Sequence, residues 1–211
     1  MEVNIKHSQI LRKDYKRYIR DGISYDQYKI QMAEDFQFNE DEKVKSYIQL
    51  NQSRMHRVEK TYAISENITH HLNTSKNKTY WLVLTEHWCG DASQILPVLN
   101  AIAKASHGNI ELKLVYRDEN PELMDAYLTD GTRSIPKLIQ LDTHFDVTGI
   151  WGPRPGVAQN LVKVLKSNPE TAQSYANQLH LWYAKDKQRT IDMEIEKLLQ
   201  SANLFCADRL T

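Results

Sequence analysis

The chain has 211 residues, with 27 basic and 27 acidic side chains and no net charge at neutral pH. This balance argues against general nucleic-acid binding, which needs a basic surface to neutralise phosphates. No apolar stretch approaches the roughly 20 residues that span a bilayer, and the first residues lack the apolar segment of a signal peptide. We therefore expect a soluble, cytoplasmic protein that binds neither nucleic acid nor membrane.

The first part of the chain has the composition of a helical region. All six prolines lie at or after Pro97, and Gly22 is the only glycine before Gly90. Because helix interiors exclude both residue types, residues 1–78 are predicted to form an N-terminal helical extension. Three helices are expected there: Gln9–Arg20, a second from Ser24 to about Phe36, and a third that begins after Asn39 and carries an apolar stripe to Tyr62.

One polar residue interrupts the stripe of the third helix. Asn51 lies among its apolar positions, so the pattern allows a bend or a break at that point. After this helix the composition becomes that of a loop, Asn-Thr-Ser-Lys-Asn over Asn73–Asn77. The loop separates the helical extension from the segment that follows.

From Thr79 the apolar pattern changes to that of strands alternating with helices. The predicted elements are a strand Tyr80–Leu84, a helix Asp91–Ala105, a strand Ile110–Arg117, a helix Pro121–Leu128, strands Lys137–Leu141 and Phe145–Trp151, and a helix Val157–Leu165. The first two strands form a βαβ unit and are therefore parallel, and the short turn between the last two makes an antiparallel hairpin. Residues 79–167 are thus predicted to be an α/β domain with a mixed four-stranded sheet flanked by helices.

The last segment, residues 168–211, is predicted to be a helical extension. Asn168-Pro169 opens a long C-terminal helix, with proline in its first turn. The apolar pattern allows this helix to continue past the charged stretch Lys185–Arg189 to about Leu199.

One of the two cysteines, Cys89, lies where the first strand joins the following helix. A thiol at the first turn of a helix faces unpaired backbone N–H groups and the positive end of the helix dipole, both of which favour the thiolate. A small buried apolar cysteine is the alternative interpretation. Two cysteines form neither a disulfide framework nor a Cys-only zinc site, so no metal or cofactor is expected.

Four short motifs resemble those of thioredoxins. Trp88-Cys89-Gly90 is similar to the start of the Trp-Cys-Gly-Pro-Cys motif, and Pro97 stands where that family has its helix-kinking proline. Asp118-Glu119-Asn120-Pro121 resembles the family's Asp-x-Asn-Pro segment. Arg133-Ser134-Ile135-Pro136 resembles its Arg-Gly-Ile-Pro loop, whose Ile-Pro bond is cis and lies against the active cysteine. With Trp-Cys-Gly-Asp-Ala at the motif, the chain resembles a bacterial branch of thioredoxin-like proteins.

Three departures from the family pattern change the expected chemistry. Ala92 stands where thioredoxins have their second cysteine. Val83 and Leu114 stand where the resemblance places a buried Asp and its Lys partner. The resemblance therefore implies single-thiol exchange, in which Cys89 forms a mixed disulfide with a protein or low-molecular-weight thiol and an external thiol releases it. The alternative is a non-catalytic binding module for a protein partner, and a peroxidase forming a sulfenic acid has no specific support.

The resemblance also implies a substrate-binding surface. Its predicted residues surround Cys89: Trp88, Gly90, Asp91, Ile135 and Pro136. The backbone beside Pro136 would present an edge to an extended peptide.

Three polar residues near the motif have two interpretations each. Asp91 is either a carboxylate stabilised at the helix N-terminus or a group that handles a proton beside Cys89. His87, which flanks the site together with Glu86, would favour the thiolate if protonated, but it is better interpreted as an exposed loop residue. Arg154 either attracts an acidic or thiolate ligand or caps its own loop.

Two remaining features have weaker functional interpretations. Cys206 would serve as a distant resolving thiol only if its Cα came within about 4.4–6.8 Å of the Cα of Cys89. His70 and His71 are neighbours on a helix and point to different faces, so a solvated helix surface is favoured over a metal site.

Overall fold

The computed structural model of the chain describes residues 10–75 and 77–207, and its side chains as far as residue 200. Ten helices and four strands lie within these described ranges. In chain order they are α1 (Arg12–Asp21), α2 (Tyr25–Phe38), α3 (Glu42–Thr61), α4 (Glu66–Thr74), β1 (Thr79–Thr85), α5 (Ala92–Ala105), β2 (Ile110–Tyr116), α6 (Pro121–Asp125), β3 (Lys137–Leu141), β4 (Val147–Trp151), α7 (Gly156–Ser167), α8 (Pro169–Ala172), α9 (Tyr175–Asp186) and α10 (Arg189–Ala207).

The strands form one mixed sheet in the order β2-β1-β3-β4. β1 pairs in parallel with β2 and antiparallel with β3, and β4 adds antiparallel to β3. The apolar run Trp81–Leu84 in β1 is fully buried, as expected for a central strand covered on both faces. Full burial of each such side chain contributes about 1.5–3 kcal/mol. The predicted fold class, a four-stranded mixed sheet flanked by helices, is confirmed.

Side-chain caps set the starts of the N-terminal helices. The Ser24 hydroxyl accepts a hydrogen bond from the backbone N–H of Gln27, so α2 begins where predicted. α3 begins later than predicted because Asp41, rather than Asn39, caps it by accepting from the N–H groups of Lys43 and Val44. The helix is continuous through Asn51, so the bend that the sequence allows there is absent.

A fourth helix in this region, α4, was not expected from the pattern. Ser65 caps it by accepting from the backbone N–H of Ile68, and the helix takes in the start of the predicted loop at Asn73. Its apolar face is short, with Ile68 and Leu72 as the buried residues. Two apolar positions are too few to give a clear helical period in the sequence.

The N-terminal helices are joined to the sheet through backbone hydrogen bonds. Ile23, between α1 and α2, exchanges both of its backbone hydrogen bonds with Leu114 on the outer side of β2, at 2.9 Å each. Gly22 allows this approach, because a Cβ at that position would lie 3.1 Å from the Cβ of Lys113 and 3.3 Å from the carbonyl oxygen of Leu114. The helical extension is therefore anchored to the edge of the sheet.

The C-terminal region is divided into three helices, where the sequence allowed one long helix from Asn168 to Leu199. Lys187 and Gln188 have left-handed backbones, with φ of 52° and 62°, and they end α9. The long helix α10 starts after this break and packs on β4, and its buried side chains include Ile191 and Ile195. Among the described residues, no helix is both long and apolar enough to cross a membrane.

Candidate active site

Cys89 lies in the turn between β1 and the start of α5. Its backbone N–H donates to the carbonyl of Glu86 at 3.1 Å, and its own carbonyl accepts from the N–H of Ser93 at 3.3 Å. The Sγ atom donates to the carbonyl oxygen of Ile135 at 3.4 Å. The Ile135–Pro136 peptide bond is cis. The turn and the Pro136 loop, which are 46 positions apart in the chain, therefore meet at the sulfur atom.

The environment of Cys89 favours the protonated thiol. Cys89 is 6% exposed, and burial, followed by the negative charge of Asp91, raises the pKa of its thiol to about 12. The backbone N–H groups of Ala92 and Asp91 and the charge of Arg154 lower this pKa, but by less. Of the two interpretations of Cys89, the buried thiol agrees with this environment, and the activated thiolate does not. The N–H groups are present, but the loss of solvent outweighs them.

Asp91 connects the turn to two other parts of the chain. It occupies the N-cap position of α5, but its side chain makes no capping hydrogen bond. Its Oδ2 atom accepts from Nη2 of Arg154 at 2.6 Å, and its Oδ1 atom accepts from the hydroxyl of Tyr183 at 2.6 Å. Asp91 and Tyr183 are buried, and the side chain of Arg154 is 15% exposed. Arg154 also donates to Gln159. Its partners are thus side chains of this chain, whereas the sequence predicted that Arg154 would attract a ligand or cap its own loop.

The helix α9 lies directly on the active turn. A Cβ atom at Gly90 would be 2.7 Å from Nε2 of His180, so this close approach requires glycine. Nδ1 of His180 lies 3.4 Å from Nε2 of Gln94, in the first turn of α5. Burial, together with the positive charges of Arg54 and Arg57, lowers the pKa of His180 to about 4. His180 is therefore neutral at physiological pH.

His87 is buried, and its interpretation as an exposed loop residue is wrong. Its Nδ1 atom lies 2.8 Å from Oδ2 of Asp35, and its Nε2 atom lies 2.8 Å from the hydroxyl of Tyr116. Its carbonyl accepts from the side-chain amide of Asn51 at 3.0 Å. Burial lowers the pKa of His87, and the hydrogen bond to Asp35 opposes this shift. The reason for the error is that α2 and α3 pack over the turn, which no local pattern near residue 87 indicates.

Glu86 is half-buried beside a cavity. Its carboxylate accepts from the backbone N–H of Asp118 at 2.9 Å, and burial raises the pKa of Glu86 to about 7. The cavity, of about 960 Å³, lies between the N-terminal helices and the carboxyl ends of β1 and β2. Glu86 and Tyr116 are among its lining residues.

Apolar side chains fill the positions where the family carries its ion pair. Val83 and Leu114 are partners in the register of β1 and β2, and they are 0% and 1% exposed. Ala92 is 1% exposed. These three side chains add apolar packing to the core but no group that could take up a proton.

The remaining predicted substrate-binding residues surround the turn. Trp88 is half-buried, and the guanidinium carbon of Arg117 lies 4.8 Å from its ring centroid. Ile135 is 5% exposed and offers its carbonyl to Cys89. Lys137, which follows Pro136, donates from Nζ to the carbonyl of Gly152 at 3.2 Å, and burial lowers the pKa of Lys137 to about 8.

Three other candidate residues lie elsewhere. The backbone of Cys206 is part of α10, but its side chain lies outside the described part of the chain. His70 is exposed and His71 is half-buried, both on α4.

Several contacts of the turn were missed by sequence reasoning, since their residues come from α2, α3 and α9. Gly90 was the one local sign of a close neighbour.

Comparisons with known proteins agree on one family. A family model described as thioredoxin matches residues 37–173. Thioredoxin 1 from Nostoc sp. (strain PCC 7120 / SAG 25.82 / UTEX 2576) is 35% identical over 80 residues, which cover 37% of this chain and 72% of that protein. A crystal structure of a protein of unknown function from Pseudomonas aeruginosa has the same fold, with a TM-score of 0.55 and 21% identity. The alignment covers 81% of this chain and 97% of that one. The chain belongs to the thioredoxin family.

Proposed function

We propose that this protein carries out thiol–disulfide exchange with one cysteine, Cys89, and that an external thiol completes the reaction. The observation that carries the proposal is the hydrogen bond from Sγ of Cys89 to the carbonyl of Ile135, at the start of α5. This contact places the sulfur beside the backbone where an extended peptide or a small disulfide would lie. Trp88, Gly90, Asp91, Ile135 and Pro136 form the proposed substrate-binding surface.

The proposed reaction has two steps. Cys89 loses its proton, and the thiolate attacks one sulfur of a substrate disulfide, which forms a mixed disulfide and releases the other sulfur as a thiolate that takes up a proton. An external thiol then attacks the mixed disulfide, so that Cys89 is released reduced and the external thiol becomes oxidised. The second step needs a separate molecule because Ala92 offers no thiol. The N–H groups of Asp91 and Ala92 and the charge of Arg154 stabilise the thiolate of the first step.

The dependence on an external thiol has consequences for the setting of the protein. Such a reaction needs a pool of reduced thiols, which is characteristic of the cytoplasm. We therefore infer a cytoplasmic location, with protein or low-molecular-weight disulfides as partners. We also infer that the chain belongs to the family branch with Trp-Cys-Gly-Asp-Ala at the motif.

A second candidate function is a binding module without thiol chemistry. The specific observation that favours it is the burial of Cys89, which raises the pKa of the thiol to about 12. In this alternative Cys89 remains a thiol, and the surface around Pro136 holds a protein partner.

Reaction with oxidised glutathione tests the proposal directly. In a Cys206→Ser background, which removes the other cysteine, we expect mass spectrometry to show one added glutathione, and reduced glutathione to remove it. The matched control is Cys89→Ser in the same background, which should gain no mass. Equal behaviour of the two proteins in this assay and in reduction of insulin disulfides would exclude the exchange function and leave the binding module.

A further inference from the structure

We propose that α9 is a movable cover over Cys89 and that its displacement, while the sheet stays folded, gives reacting molecules access to the sulfur. The inference deepens the proposed function and rests on it, because it adds a regulation of the same site. It concerns the region from Tyr175 to Asp186.

The first argument is that α9 closes the site. The imidazole of His180 lies against Gly90, and the hydroxyl of Tyr183 donates to Asp91. Gly90 and Asp91, the two residues that follow Cys89, are therefore both in contact with α9, and Cys89 is 6% exposed.

The second argument is that α9 packs along α7 but buries few of its own side chains. Its 12 residues include two buried ones, Leu179 and Tyr183. The neighbouring helix α5 has 14 residues, of which ten are buried. Opening free energies rise with the amount of buried apolar surface, so α9 should open at a lower free energy than α5.

The third argument is that α9 can move without its neighbour α10. The left-handed residues Lys187 and Gln188 separate the two helices. α10 is tied to the end of α9 by one side chain, since the carboxylate of Asp186 accepts from the N–H of Thr190 at 3.0 Å, and this contact lies at the hinge between the two helices. α10 has its own buried face, with Ile191 and Ile195 fully buried.

Opening would leave a turn suited to thiol chemistry. Arg154 belongs to the loop before α7 and is also held by Gln159, so it stays with Asp91 when α9 leaves. The N–H groups of Asp91 and Ala92 stay as well. Water would reach Cys89, which removes the largest cause of its raised pKa.

The test measures the alkylation rate of Cys89 by iodoacetamide in the Cys206→Ser background, at low urea concentrations. Since a local opening exposes little surface, we expect the rate to rise much less steeply with urea than global unfolding does. Leu179→Ala removes buried packing, and Tyr183→Phe removes the hydrogen bond to Asp91. Each should speed alkylation about tenfold or more. Leu181→Ala, at a 56% exposed position on the same helix, should stay within about twofold of the parent.

Two results would overturn the cover. One is an alkylation rate that rises with urea as steeply as global unfolding does. This result is obtained on the parent protein, so it is decisive even if a variant fails to fold. The other is equal acceleration by Leu181→Ala and Tyr183→Phe. Iodoacetamide reports access and not disulfide exchange. A protein that opens but gains no glutathione would therefore contradict the proposed function and leave the cover intact.

Discussion

The two sides of the active turn are held in different ways. On the N-terminal side, side chains from α2 and α3 hydrogen-bond to the backbone of the turn: Tyr28 donates to the carbonyl of Glu86, and Asn51 donates to the carbonyl of His87. On the C-terminal side, α9 contacts the turn through the side chains of His180 and Tyr183. The hydrogen bonds to the backbone fix the path of the chain through the turn, whereas the contacts of α9 limit the access of other molecules to Cys89. The two sides should therefore respond differently to mutation.

The largest effect is expected from breaking the ion pair between Arg154 and Asp91, on the C-terminal side of the turn. Arg154→Met leaves the buried carboxylate of Asp91 without its main partner, and this should lower the free energy of unfolding by about 3–5 kcal/mol. Urea denaturation followed by far-UV circular dichroism measures the loss. The double variant Asp91→Asn with Arg154→Met should recover much of it. A single Arg154→Met variant as stable as the parent would show that the pair does not hold the turn.

The pH dependence of Cys89 alkylation tests whether the C-terminal side of the turn closes the thiol off from solvent. Because the raised pKa of Cys89 keeps the thiol protonated, the alkylation rate should rise about tenfold per pH unit through pH 10, without levelling off near the ordinary value of about 8.5. The rate is measured with iodoacetamide in the Cys206→Ser background, from pH 7 to 10. In Tyr183→Phe the curve should shift to lower pH. An alkylation rate that reaches a plateau near pH 8.5 in the parent protein would mean that the thiol of Cys89 is accessible to solvent.

A smaller effect is expected on the N-terminal side of the turn. Asn51→Ala leaves the buried carbonyl of His87 without its donor, which should cost about 1–3 kcal/mol in the free energy of unfolding. Ser53→Ala, at an exposed position of the same helix, is the matched control and should change stability by less than about 0.5 kcal/mol. Relative to the free energy of unfolding that each variant loses, Asn51→Ala should speed alkylation of Cys89 less than Tyr183→Phe does. The reverse order would remove the distinction between the two sides.

The smallest expected effect concerns Glu86 beside the cavity. Its pKa is raised to about 7 in the folded protein, so the fold favours the neutral carboxyl. This contribution is fully present below the ordinary pKa near 4.5 and is lost as the pH rises through 7. After solvent screening it should amount to roughly 1 kcal/mol. Glu86→Gln keeps the acceptor oxygen and should remove this part of the pH dependence, as measured by urea denaturation at pH 4.5 and 7.5. An unchanged dependence would contradict the shift.

The fold was largely predictable because its signals are local. The apolar run of β1, the proline at the start of α6 and the short turn between β3 and β4 each depend on neighbouring residues. The long-range partners of the turn were not predictable in this way. Nothing near His87 indicates that Asp35 and Asn51 will bury it. Those two residues belong to helices, and the periodicity of a helix shows which of its faces is covered but not which part of the chain covers it. The break at Lys187 also escaped prediction, because no glycine or proline marks it.

The pairing of Ile23 with Leu114 has a consequence for how the molecule can assemble. A bare outer strand offers unpaired N–H and C=O groups to any other extended chain. Here the outward groups of Leu114 already bond within the molecule, in the middle of β2. Another copy, or an extended client, could add a strand along β2 only by breaking this bridge and displacing the link between α1 and α2. The N-terminal extension therefore protects this side of the sheet against aggregation by edge-to-edge strand addition.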